Sequence, residues 1–339
     1  MSASQRTIAL AVAGAATLLL VGSFFIPERD AAPAGEDAPT SAANAHGSRA
    51  CAACHADVQA EWAGSPHALA FTDPEVRRLS NDFANQDCLD CHAPLPVFET
   101  GIGQRVLPRE TDRELGVDCI ACHGLPAAAG GGVAAKRDGA APCAPRMRAE
   151  LSAPEHCGAC HDQHGTVGQW RASRFGAEGK TCIDCHMPVD PATGKRSHAM
   201  PGGGALALVQ SAIALEARRD ADHWTVVVAN VGAGHNFPTD ERSRAGDVFW
   251  RPLATEAGAP VAAWRHVHRM RAPYRHETGL TDTTLPAGER REFAIPFEPG
   301  VDAIEVALFY KRTPYWLDPA APDPDAEARL VHRVEVRKP

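Results

Sequence analysis

Five copies of one short motif govern what this chain of 339 residues can fold into. They are Cys51-Ala-Ala-Cys54-His55, Cys88-Leu-Asp-Cys91-His92, Cys119-Ile-Ala-Cys122-His123, Cys157-Gly-Ala-Cys160-His161 and Cys182-Ile-Asp-Cys185-His186. Two thiols at this spacing reach both vinyl groups of one porphyrin, and the adjacent imidazole is delivered to the iron. C-x-x-C-H therefore reads as a haem c attachment site, and five of them imply five covalent haems. At this composition a chance copy is expected in roughly 0.02 of such chains, so five are not coincidence. Other readings fit less well. Closed zinc sites combine two Cys pairs each, and five pairs is an odd number. A disulfide framework has no reason to place His after every second Cys, and a thioredoxin-like centre needs only one motif. The eleventh cysteine, Cys143, is left over as a lone thiol or one that pairs with another chain.

Composition agrees with a core built around a prosthetic group. Aromatic residues make up only 6%, with 29 Gly and 27 Pro, so large apolar side chains are scarce and porphyrin discs would supply the missing core. The formal charge of -8 argues against a nucleic-acid partner, which calls for a basic surface. Arg6 precedes an apolar run, residues 8–26, that reads as an export signal or a single membrane anchor; both remain open. Either one puts the rest of the chain in the periplasm or on the extracellular side. The expected organisation is residues 1–26 as signal or anchor, 27–48 as a flexible tether, 49–204 as a multihaem domain and 205–339 as a β-sandwich-like domain.

The haem region contains a worn duplication. C-x-x-C-H is followed by W-x-x-S and a second C-x-x-C-H, first through Trp62 and Ser65 to Cys88, then from Cys157 through Trp170 and Ser173 to Cys182. Five bis-histidine haems need five histidines beyond the motifs. Sixteen are present, so eleven are available. Where the first unit has His67 the second has Phe175, so one haem either recruits another histidine (His46, His156 or His164) or keeps an open site.

Several stretches resemble multihaem cytochromes related to the tetrahaem electron acceptor of hydroxylamine oxidoreductase. They are Cys51 to His55 with Trp62-Ala-Gly-Ser65-Pro-His67, Gly116-Val-Asp-Cys119 to Gly124, and Cys182 to Pro188 with Ser197-His198. Asn230-Val-Gly-Ala-Gly234-His235-Asn-Phe237-Pro238-Thr239 is similar too, except that Asp240 stands where such proteins have Gly. The resemblance spans roughly residues 50–240. It implies that His67, His198 and His235 are distal iron ligands, joining the proximal His55, His92, His123, His161 and His186. Gly232 and Gly234 are expected to let the backbone approach a porphyrin, with Pro238 stiffening the exit.

The expected fold class is a mainly α or irregular multihaem domain followed by an all-β sandwich-like domain. Helices are expected near residues 52–62 and 74–84, and a mobile linker at Pro126–Gly132. Strands are read at Trp224–Asn230, Glu292–Phe297, Ile304–Tyr310 and Leu330–Val336, the last with Leu330, His332, Val334 and Val336 on its inner face. Six or seven such strands argue a sandwich, immunoglobulin-like in type. Arg265–Arg271 is a basic stretch that either meets an acidic partner or forms a solvated strand face. Functionally, the pattern points to electron relay between redox proteins. A haem enzyme acting on a small nitrogen or sulfur compound, or a subunit of a haem filament, are the alternatives. No C-x-x-C-K motif marks a dedicated catalytic haem.

Overall fold

Cysteines three apart present both thiols to one ligand only where the intervening backbone coils. The computed structural model coils at each motif. It describes residues 48–239, 244–254, 259–273, 281–312 and 328–338. The apolar run at 8–26, the tether up to residue 47, His46 and His276 lie outside these residues. The first motif begins in a 3-10 turn, Ser48–Ala53, and His55 precedes helix α1 (Ala56–Ala63). The expected single helix over 52–62 is thus broken at the motif histidine.

Helix α2 (Pro74–Leu79) starts as the sequence predicts, with Pro74 in the first turn and the Asp73 side chain accepting from Glu75 and Val76 N–H groups. It stops at Leu79, short of residue 84. Asn81, Asp82 and Phe83 take φ of 49°, 56° and 59°, a left-handed run that no α-helix continues through. The ring of Phe83 is buried by this turn and stacks on Phe71 with centroids 5.0 Å apart.

The second motif lies in a 3-10 turn, Gln86–Cys88, and helix α3 (Leu89–His92), which α4 (Val97–Thr100) follows. The third forms α5 (Cys119–His123). Of the stretch expected to be a mobile linker, Ala127–Gly130 is exposed and its end is packed. Gly131 and Gly132 are buried, and Leu125 donates its N–H to the Gly132 carbonyl. A Cβ at Gly132 would sit 2.2 Å from the Ala144 carbonyl oxygen, so only glycine fits there. The chain then forms β1 (Val133–Ala135), paired in parallel with β2 (Pro145–Met147). Helices α6 (Pro154–His161), α7 (Thr166–Ala172), α8 (Arg174–Ala177) and α9 (Cys182–His186) carry the last two motifs.

After α10 (Leu206–Ala212) the chain is antiparallel sheet. Strands β3 (Ile213–Arg219), β4 (His223–Asn230) and β7 (Arg290–Pro296) form one sheet in that order. The other is ordered β6 (Arg265–Met270), β5 (Ala245–Pro252), β8 (Ala303–Lys311), β9 (Arg329–Arg337). The inner faces share one core, in which Trp224, Val226 and Val228 meet Val248, Ile304, Val306 and Leu308. This is the expected sandwich layout. Truncating a side chain as buried as Trp224 costs about 3–5 kcal/mol. The last strand departs from expectation only at its start, while His332, Val334 and Val336 lie half-buried as expected. A register shift between Leu308 and Phe309 turns Val331 into the core and leaves Leu330 exposed. The basic strand β6 is internally paired: Arg269 and His266 bind buried Asp247, and Arg265 bonds to Glu298. Among the described residues no helix is long and apolar enough to cross a membrane.

Candidate haem sites

The motif histidines are oriented through their backs. His92 Nδ1 lies 2.6 Å from the Ala70 carbonyl, His123 Nδ1 2.8 Å from that of Ala134, and His186 Nδ1 2.7 Å from that of Pro201. A carbonyl can only accept, so Nδ1 donates in each, and Nε2 is the nitrogen left to face a metal. His198 and His235 are held likewise, Nδ1 being 3.0 Å from the carbonyls of Arg196 and Asn236.

The imidazoles then come together in pairs, each joining a motif histidine to one outside the motifs. Ring centroids are 5.9 Å apart for His161 and His67, 6.4 Å for His123 and His198, and 6.3 Å for His186 and His235. Two metal–nitrogen bonds of about 2 Å and two ring half-widths of about 1.1 Å would separate the centroids of two imidazoles on one iron by about 6.2 Å. The observed spacings of 5.9–6.4 Å match that separation. Burial, with His161 and His186 nearby, pushes His67 down to about 4. Burial also lowers His123 against the opposing Ala134 hydrogen bond. Both are thereby kept neutral, the form that ligates.

His156 is a further candidate. It is buried on α6 with both ring nitrogens lacking a hydrogen-bond partner, and burial pushes it down to about 4. An imidazole satisfied at neither nitrogen is costly unless something absent from the polypeptide occupies it. His55 is exposed and His92 faces Phe83 at 5.6 Å. Among the described residues neither has a second imidazole across from it.

The ten motif cysteines are thiols, with no disulfide among them. They meet across motifs: Cys51 with Cys119, Cys91 with Cys160, and Cys157 with Cys182. In each pair the hydrogen bond lowers one thiol, bringing Cys51, Cys91 and Cys182 to about 7, and raises its neighbour. Cys122 is pushed up to about 12 by burial and by Asp118. Among the described residues no three His, Cys, Asp or Glu side chains converge as a closed zinc site needs.

The motif helices are pinned by carboxylates. Asp118 caps α5 through Ala121 N–H and forms a buried pair with Arg109 at 3.1 Å. Asp90 and Asp184, inside the second and fifth motifs, bind Arg105 and Arg196 at 2.6 and 2.8 Å. The duplication also takes a different form in space. Trp62 Nε1 donates to the Val117 carbonyl, two residues before Cys119, and Trp170 Nε1 donates to that of Lys180, two before Cys182. The spatial equivalent of the fifth motif is therefore the third, with the second inserted between. Sequence order alone had matched Trp62 to Cys88.

The β-sandwich supplies His235 and holds it. Buried Asn230 donates to the carbonyls of His235 and Leu285 and accepts from Ala233 N–H. Gly232 and Gly234 make close approaches to protein: a Cβ at Gly232 would meet the Ser211 carbonyl at 2.2 Å, and one at Gly234 would touch Trp170 and Phe175 at 3.3–3.5 Å. Phe175, which stands where the first unit has His67, thus seats the loop carrying His235. Asn236 N–H and Thr239 both bond to Gln169 on α7. These contacts join residues far apart in sequence, and no local signal marks them.

Comparison with known proteins adds a family match and a shared fold. The family model described as cytochrome c554 and c-prime matches residues 50–124. The crystal structure of a penta-haem cytochrome c552 from Thermochromatium tepidum aligns with a TM-score of 0.62 and 21% identity, over 85% of this chain and 97% of that chain, which shows a shared fold. The structure of T. fusca AA10A gives a TM-score of only 0.18 at 9% identity, over 51% of this chain and 81% of that chain. No curated protein matches the chain. A cytochrome c554-type segment within the fold of a penta-haem cytochrome supports the reading of this chain as a multihaem c-type cytochrome that binds haem c covalently.

Proposed function

We propose that the chain carries five haem c groups and relays electrons between redox partner proteins outside the cytoplasm. The observation that carries this is the three pairs of a motif imidazole with one outside the motifs, at 5.9–6.4 Å. In this reading Cys51, Cys54, Cys88, Cys91, Cys119, Cys122, Cys157, Cys160, Cys182 and Cys185 hold the porphyrins through thioethers. His55, His92, His123, His161 and His186 are proximal ligands. His67, His198 and His235 are distal ligands to the fourth, third and fifth motifs, and His156 provides a fourth distal imidazole.

Bound haem supplies one-electron chemistry at iron, and six-coordinate iron rearranges little on reduction, as relay requires. The polypeptide orients His92, His123, His186, His198 and His235 through backbone carbonyls at Nδ1 and buries His67 and His156 away from water. The adjoining thiols place the first attachment site beside the third, and the fourth beside both the second and the fifth, so haems held there would be neighbours for one-electron exchange. The resemblance to the tetrahaem acceptor of hydroxylamine oxidoreductase favours a role as electron acceptor for an enzyme partner.

Iron and haem quantification with electron paramagnetic resonance tests the assignment. Five haems per chain, with at least three low-spin centres, are expected. Replacing His67, His198 or His235 by Ala should each convert one centre to high spin. Protein with zinc and no iron, or three variants with unchanged spectra, would defeat it.

A further inference from the structure

A basic lobe stands directly over the third motif. Strand β1 adjoins helix α5 through the Gly124–Val133 bridge, and the Ala134 carbonyl holds His123 Nδ1 at 2.8 Å. Two residues beyond Ala134 the chain turns outward. Lys136, Arg137 and Arg146 are exposed there, and Arg148 is half-buried. Between residues 125 and 149 the sequence holds these four cations and one carboxylate, Asp138, in a chain whose net charge is -8.

None of the four cations forms an ion pair among the described residues. Asp138 accepts from the Met147 N–H, Arg146 donates to the carbonyls of Gly130 and Gly131, and Arg148 donates to those of Ala129 and Met147. These bonds fix the guanidinium groups in place without neutralising them. Elsewhere arginines are matched to carboxylates, as in Arg49 with Asp112, Arg105 with Asp90, Arg171 with Glu155 and Arg196 with Asp184.

We propose that this lobe is the docking surface for an acidic redox protein, which exchanges electrons first with the haem of the third motif; the inference rests on the haem reading above. An unneutralised positive patch on a negative molecule attracts an acidic partner at one place and repels it elsewhere, so attraction also orients. The same imbalance disfavours an anionic membrane, because a broad negative plane meets the negative remainder of the surface as well as the patch. In transfer, one electron leaves the reduced centre of the partner, which is oxidised by one equivalent, and ferric iron at the third motif becomes ferrous. No bond forms or breaks.

The test uses the haem-loaded chain and an oxidised plant-type ferredoxin as the acidic probe, so that binding is read without electron transfer. The Kd at about 10 mM salt is expected to weaken by about tenfold or more in Lys136→Glu/Arg137→Glu, and its salt dependence to flatten. Haem content and spectrum of the variant should stay unchanged, since both side chains are exposed and unpaired. An unchanged Kd, or wild-type protein that binds phosphatidylglycerol vesicles and not ferredoxin, overturns the proposal. Absence of haem from the wild-type protein would instead overturn the functional reading, and that is measured separately.

Discussion

The indole of Trp170 donates to the carbonyl of Lys180 at 2.7 Å, two residues ahead of Cys182, and so ties the helix after the fourth motif to the start of the fifth. Trp62 does the same for the third motif through Val117 at 2.8 Å. Both motif pairs also bring thiols together, Cys157 with Cys182 and Cys51 with Cys119. One unit of construction is used twice: a tryptophan ties one C-x-x-C-H turn to another.

Replacing either tryptophan by Phe keeps an aromatic ring but removes the donor with part of the indole's bulk. A loss of about 1 kcal/mol is expected for each, from the missing bond and the carbonyl it leaves behind. Calorimetry of the haem-loaded variants should show a lower unfolding temperature with unchanged iron content. An unshifted transition in both would mean the bond is idle.

His156→Ala removes an imidazole that has no hydrogen bond to lose. If it ligates iron, one more centre turns high-spin in the resonance spectrum, additive with the His67→Ala change. A purely packed histidine would instead cost stability, about 1–3 kcal/mol from the cavity, and leave the spectrum as it was.

Asn230 touches no iron in the proposed arrangement, yet it positions His235 through three hydrogen bonds. Asn230→Ala should leave haem content intact while splitting the signal of one low-spin centre into several. Gly232→Ala drives a methyl group against the Ser211 carbonyl and should displace the same loop. The two variants are expected to perturb the same centre. Effects on different centres would disprove a shared loop.

Burial pushes His268 below its ordinary value, Arg291 and His266 add to this, and Asp247 opposes it. Between the folded and unfolded values the unfolded chain binds more protons, so this contribution is present above about pH 6.5 and is lost as pH falls below it. His268→Phe retains the contact with Phe293 and should reduce the drop in melting temperature between pH 7 and pH 5. An equal drop in both proteins would remove His268 as a cause.

Much of the haem reading was legible before folding because attachment is local. Cys-x-x-Cys-His specifies two thiols and an imidazole within one helical turn, and the structure coils at each copy. The β-sandwich was legible for a similar reason, since alternation in Trp224–Asn230 and Ile304–Tyr310 follows from the pleat. Local chemistry also explains where expectation failed. Left-handed residues 81–83 ended a helix that propensity would extend, and a bulge opposite Phe309 inverted the start of the last strand.

What the amino-acid order determined by itself was the set of C-x-x-C-H turns and the helical-then-antiparallel layout, because each depends on neighbours a few residues apart. Only the tertiary structure decided which imidazole faces which. His67 meets a motif 94 positions later and His198 one 75 earlier, by numbering alone (161 − 67, 198 − 123). Such pairings are set by how helices and sheets pack around a shared interior, and no periodicity along the chain encodes them.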